Sequence, residues 1–168
     1  MALSKIQSES INLDDDFAGM HFGGTGSANQ FDDYEEGTWN VEMYDAISGG
    51  NASSTTVTGY YTKIGKLVTA RFWAMNDIST SGLTSGNAAY FTLPFASSST
   101  GRSTGSCTYE LVNLGSGKTQ LIPAISTSQS RLQLTQVGDN VTDSSITVST
   151  FNGTSSDIVT LSITYAVD

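Results

Sequence analysis

Cysteine, histidine, proline and positive charge are all scarce in this sequence, and most of these scarcities remove a class of function. A lone cysteine, Cys107, forbids an intramolecular disulfide and gives no sign of an oxidising compartment. A lone histidine, His21, removes most His-based metal and acid–base chemistry. Only 7 Lys and Arg stand against 16 Asp and Glu, a net charge of −9. That balance argues against nucleic acid as a partner, because phosphate contacts need cations. No apolar run is long enough to span a bilayer, so no membrane partner is expected. Met1–Lys5 does not open a secretory leader. Also missing is the Ala, Glu, Lys, Leu and Arg richness of a helical bundle or coiled coil.

What is abundant points to strands. The 168 residues include 25 Ser, 22 Thr and 17 Gly, a composition suited to short strands joined by small polar turns. The 7 Phe, 7 Tyr and 2 Trp supply enough aromatic mass for a core. After Gly37 the apolar period becomes two: Trp39, Val41 and Met43 share a face, as do Val159, Leu161, Ile163, Tyr165 and Val167 near the end. Val57–Ile64 and Leu67–Met75 read as a hairpin around Gly65-Lys66. Cys107–Leu114 and Thr119–Ile125 read as another around Gly115-Ser116-Gly117. Tyr90–Phe95, Arg131–Val137 and Ile146–Phe151 add further strands. The expectation is an all-β fold, an antiparallel β-sandwich or jelly roll of about eight or nine strands.

The charge sits at one end. Residues 1–45 hold ten acids and one base, whereas residues 46–168 are balanced. The same stretch carries eight large apolar residues without a sustained period: Leu3, Ile6, Ile11, Leu13, Phe17, Met20, Phe22 and Phe31. Residues 1–36 are therefore expected to be an extended N-terminal arm on a sandwich domain at 37–168. Ordering such an arm costs more backbone entropy than eight buried side chains return, so it needs a partner surface or extra backbone pairing. Fully extended, about 30 residues reach up to ~100 Å. The acids Asp14, Asp15 and Asp16, with Asp32 to Glu36, admit two roles: a solvated lead-in, or contacts to a basic partner.

Motifs for catalysis are incomplete. Gly115-Ser116-Gly117-Lys118-Thr119 resembles a phosphate loop, but Val112 stands where the motif needs Gly. Asp14-Asp15-Asp16 with Gly19 fits a calcium loop only in part, since Ala18 and Thr25 occupy two ligand positions. A Ser-His-Asp triad would have to recruit His21 from the arm, and Cys107 has no second histidine to activate it. No pair stands out among Asp77, Glu110, Asp139, Asp143, Asp157 and Asp168 for glycoside cleavage. Neither enzymatic activity nor a cofactor or metal is expected. The adjacent pairs Tyr60-Tyr61 and Phe72-Trp73 must place one ring on each face of a strand. With Trp39 they are candidates for core or subunit interface, since exposed rings mark contact surfaces.

Two stretches carry a resemblance. Leu3-Ser4-Lys5-Ile6-Gln7-Ser8-Glu9-Ser10-Ile11-Asn12-Leu13, continuing to Phe17-Ala18, resembles the N-terminal lead of small structural proteins from tailed bacteriophages, notably cyanophages and other marine phages. Asp32-Asp33-Tyr34-Glu35-Glu36-Gly37-Thr38-Trp39, followed by Gly59-Tyr60-Tyr61-Thr62-Lys63-Ile64-Gly65-Lys66-Leu67-Val68, resembles the opening of a β-domain of those virions. Asn40-Val41 stands where that pattern carries a proline. The resemblance implies a non-enzymatic virion protein, commonly homotrimeric, of capsid decoration (cement) or tail-fibre type. Short length, without a coiled-coil shaft or β-helix repeat, favours decoration. The expected partner is the major capsid protein, in a virion assembled in the host cytoplasm. Each arm would cross a subunit boundary and bury Ile6, Ile11, Leu13 and Phe17, while its acids meet Lys or Arg of the shell. The alternative is a fibre or receptor-binding tip that contacts a host glycan or protein through loops 76–88 or 97–106; a free carbohydrate-binding module is the third reading.

Overall fold

Leu67–Trp73 shows how this sequence makes a two-faced sheet. Val68, Ala70 and Phe72 are buried, while Leu67, Thr69, Arg71 and Trp73 are exposed. One face suits a core and the other solvent. The computed structural model describes residues 20–21, 30–31, 33–74, 78–151 and 157–168. Its strands begin with β1 (Met20–His21), β2 (Gln30–Phe31), β3 (Tyr34–Val41), β4 (Met43–Tyr44), β5 (Val57–Ile64) and β6 (Leu67–Trp73). They continue with β7 (Tyr90–Thr92), β8 (Ser103–Glu110), β9 (Gln120–Ile125), β10 (Arg131–Gly138), β11 (Val141–Ser145) and β12 (Asp157–Ala166).

β1 and β2 pair only with each other, Met20 opposite Phe31. The other ten strands form one continuous antiparallel path in two layers. The first sheet runs β3-β5-β6-β12-β8; the second runs β9-β10-β7-β4, with β11 on β10. Val68, Phe72, Leu161 and Ile163 of the first layer share one core with Met43, Phe91, Leu132 and Leu134 of the second. Phe72 and Phe91 meet across the layers at 5.6 Å between ring centroids. The fold is thus all-β, jelly-roll-like and nearly closed into a barrel, as period and composition lead one to expect.

Two joints close the layers. At one, β8 changes partner: Ser103 and Thr104 pair with β9, but from Gly105 onward the strand pairs with β12. The expected hairpin around Gly115 is therefore splayed: β8 and β9 are antiparallel, but their backbone pairing is confined to the end remote from the turn, and nearer it only the Cys107 and Tyr109 side chains reach β9 and Thr119. Gly105 permits the switch, because a Cβ there would lie 2.2 Å from the Ser162 carbonyl oxygen. At the other joint the chain steps from β3 to β4 through Glu42, and Thr92 holds the step. Its hydroxyl accepts from the Glu42 N–H (3.0 Å) and donates to the Asn40 carbonyl (3.0 Å). Its own carbonyl accepts from Trp39 Nε1 at 3.1 Å.

The β3–β5 pair is locked by rings laid over glycines. Trp39 stands opposite Gly59 and Tyr61 opposite Gly37. A Cβ on Gly59 would come within 2.4 Å of the indole, and one on Gly37 within 2.8 Å of the phenol oxygen. Each ring thus occupies space that only a glycine opposite leaves free.

Residues 146–151 differ from the expected strand. β11 precedes them, and Val148–Thr150 forms a 3-10 turn. That turn brings Val148 and Phe151 inward together with Ile146, which strict alternation does not allow. The loop after β4 is fastened by charge. The buried Asp45 carboxylate accepts from the Asn51 side chain (2.8 Å), the Asn51 N–H (2.7 Å) and the Thr84 N–H (2.9 Å). Arg131 donates to the Ala46 and Gly49 carbonyls and lies 3.5 Å from the Tyr44 ring centroid.

Gly59→Ala is expected to cost about 1–3 kcal/mol in denaturant unfolding, as overpacking against a fixed ring does. The hydrogen bonds from Asn51 and Thr84 hold the Asp45 carboxyl far below its ordinary range. Its contribution to stability is therefore complete above about pH 4 and fades as the pH falls below that value. Asp45→Asn should lower the denaturation midpoint near neutral pH and narrow the difference between neutral and acidic midpoints.

Candidate functional site

The outer face of the first sheet gathers side chains that a lone domain has no reason to display. Among the described residues the exposed large apolar side chains are Tyr34, Ile47, Tyr60, Ile64, Leu67, Trp73, Leu111 and Val141. Five of them, Tyr34, Tyr60, Ile64, Leu67 and Trp73, stand on this one face. Strand register arranges them in rows, because directly paired residues point the same way.

At one end the row is dry. Tyr34 pairs with Ile64, Ile64 with Leu67, and Leu67 with Ala166. No hydroxyl except the Tyr34 phenol interrupts it, and that phenol donates to Glu36. The approach from residues 1–33 enters the sheet here. Glu36 is the acid beside the row; Glu35, which accepts from the Tyr61 hydroxyl, and Asp33, paired with Lys63, lie on the opposite side of the strand. An apolar strip edged by charge has the anatomy of a protein contact.

The other end is wet and hollow. Tyr60 pairs with Arg71, Arg71 with Ser162 and Ser162 with Ser106. One row further on, Trp73 pairs with Thr160 and Thr160 with Thr108. These residues, with Thr58, line a hollow of ≈ 890 Å³. Trp73, 61% exposed, borders it, and Arg71 is the one charged residue among those that line it. Leu67 and Trp73 are the two ends of β6, which sets the dry row and the hollow about 20 Å apart.

The residues expected to form contacts separate as follows. Leu3, Ile6, Ile11, Leu13, Asp14, Asp15, Asp16, Phe17 and Phe22 lie outside the described residues, as does Asp32. Met20 and Phe31 are the facing pair of β1 and β2. Phe72 is core, and Trp39 and Tyr61 are partly buried against that core. Only Tyr60 and Trp73 of the five aromatic candidates face solvent. Sequence reasoning passed over Arg71 and the hydroxyl floor, whose members come from β6, β8 and β12. Their signal was Ser and Thr at every second position, Ser106 and Thr108 on one strand and Thr160 and Ser162 on another. Of the expected loop 97–106, residues 103–106 belong to β8, and Ser97 and Ser98 are buried and bonded to Ser126 and Asp168.

Reactive groups are tied into the framework. Gly115–Thr119 is a turn whose Lys118 ammonium reaches the Thr142 carbonyl. The Asp168 carboxylate accepts from Ser98 and Ser99. The Cys107 thiol donates to the Leu121 carbonyl at 3.2 Å, and burial pushes its pKa up to about 11. Among the described residues no group of three or more His, Cys, Asp or Glu converges to hold a metal. No protein-family model, curated protein or solved structure matches the chain.

The Cys107 thiol is expected to react with a thiol reagent near pH 8 roughly a hundredfold more slowly in the native protein than in denaturant, because the thiolate is the reactive form. Native reaction at the rate of the unfolded chain would contradict the half-buried, bonded thiol.

Proposed function

We propose that this is a non-enzymatic virion structural protein, a capsid decoration protein that forms homotrimers on a phage shell and fastens neighbouring capsid subunits through its N-terminal arm. The observation that carries the proposal is the dry row Tyr34–Ile64–Leu67, exposed at the point where the arm joins the sheet. Three copies set around a common axis bring these rows together, burying apolar surface that a single copy leaves in water. The arm then departs from the same end, toward the shell. Its acids steer encounter and orientation, and three linked arms turn modest individual contacts into firm retention. The likeness of Asp32–Trp39 and Gly59–Val68 to β-domains of tailed-phage virions supports the same role.

The test has two parts. Copy number in purified particles, measured against the major capsid protein, should reach hundreds per virion; a few dozen or fewer contradicts a shell location. In solution the chain should sediment as a trimer, and Ile64→Asp with Leu67→Asp should yield folded monomers. A double variant that stays trimeric removes the dry row from the interface.

A further inference from the structure

The hollow at the Trp73 end has a composition that a dry protein contact does not tolerate. Its floor is made of Thr58, Ser106, Thr108, Thr160 and Ser162, all on the outward side of their strands. Thr108 and Thr160 bond to each other at 2.9 Å. Among the described residues nothing takes the hydroxyls of Thr58, Ser106 or Ser162, nor the guanidinium of Arg71. Covering these groups with an apolar surface would strand several polar atoms, each at a cost of about 1–3 kcal/mol. An occupant must therefore bring hydroxyls of its own.

It must also bring a ring face. Tyr60 is 53% and Trp73 61% exposed, and both border the hollow. They are diagonal neighbours across β5 and β6, since Tyr60 pairs with Arg71 and Trp73 lies two residues beyond it. Such neighbours sit about 7–8 Å apart, close enough for one short chain of sugars to touch both rings. Arg71 stands between them with no carboxylate among the lining residues to neutralise it. A planar guanidinium in that position suits a carboxylate, which it binds through two parallel hydrogen bonds. The volume, ≈ 890 Å³, lies within the range of small-ligand sites. Nucleic acid is a poorer fit, because one cation in a chain of net charge −9 gives little hold on a phosphate backbone.

We propose that this hollow is a binding site for an acidic saccharide. The Trp73 and Tyr60 rings stack on the apolar faces of pyranose rings, and the Ser and Thr floor exchanges hydrogen bonds with sugar hydroxyls. Arg71 takes the sugar carboxylate. The site does not require the shell reading, since it lies at the end of the face remote from the arm.

Isothermal titration of the full chain with tetragalacturonate and with sialyllactose, against maltotetraose as the neutral control, tests the proposal. At least one acidic sugar should bind more tightly than the neutral one. Trp73→Ala should weaken that binding roughly tenfold or more. Arg71→Gln should abolish the preference for the acidic sugar, and Val141→Thr, exposed on β11 of the other layer, should leave both affinities unchanged. Circular dichroism confirms that each variant is folded. Absence of binding by both acidic sugars overturns the proposal, as does full affinity in Trp73→Ala. So does dissociation of the oligomer by Trp73→Ala, which would assign the hollow to a second copy of the chain.

Discussion

Phe72 and Trp73 are neighbours in an extended strand, so burial of one ring dictates exposure of the other. Much of the outer face follows from that constraint. Phe72 is committed to the core by Trp39 and by Phe91 from the opposite layer. With Phe72 inward, Arg71 and Trp73 must turn outward, and register then aligns them with Tyr60 on one side and Ser162 and Thr160 on the other. The core and the surface site are two sides of one strand. A change that slipped β6 by a single residue would bury Arg71 and expose Phe72 at once.

Parts of this were legible in the sequence because they depend on local pattern. The β5–β6 hairpin follows from alternation on both sides of Gly65-Lys66, and Gly65 takes the positive φ that the turn requires. The final strand follows from the alternation of Leu161, Ile163, Tyr165 and Val167 with polar residues. What was not legible depends on distant partners. Nothing near Gly105 announces that β8 will leave β9 for a strand more than fifty residues later; the close approach of the Ser162 carbonyl is visible only in the fold. Ile146–Phe151 misled because its apolar residues look alternating until a 3-10 turn brings Phe151 to the core.

The site divides in the same way. That one ring of each aromatic pair must face out is a property of strands, and it holds for Tyr60 and Trp73. Which ring is outermost, and what surrounds it, needed the register. Serine and threonine are so common in this chain that the few forming the hydroxyl floor carried no local mark. The outer face thus has two chemistries at its two ends, an apolar row where β3 begins and a hydroxyl-lined hollow at the far end of β6.

Side-chain oxidation by hydroxyl radicals, compared between the free protein and the protein on purified particles, tests this polarity most directly. Tyr34, Ile64 and Leu67 should be protected in the free trimer and on particles alike, while Trp73 and Tyr60 remain reactive in both. Oxidation of Ile64 and Leu67 in both states, or protection of Trp73 and Tyr60 on particles, would contradict burial of the apolar row with the far end left open.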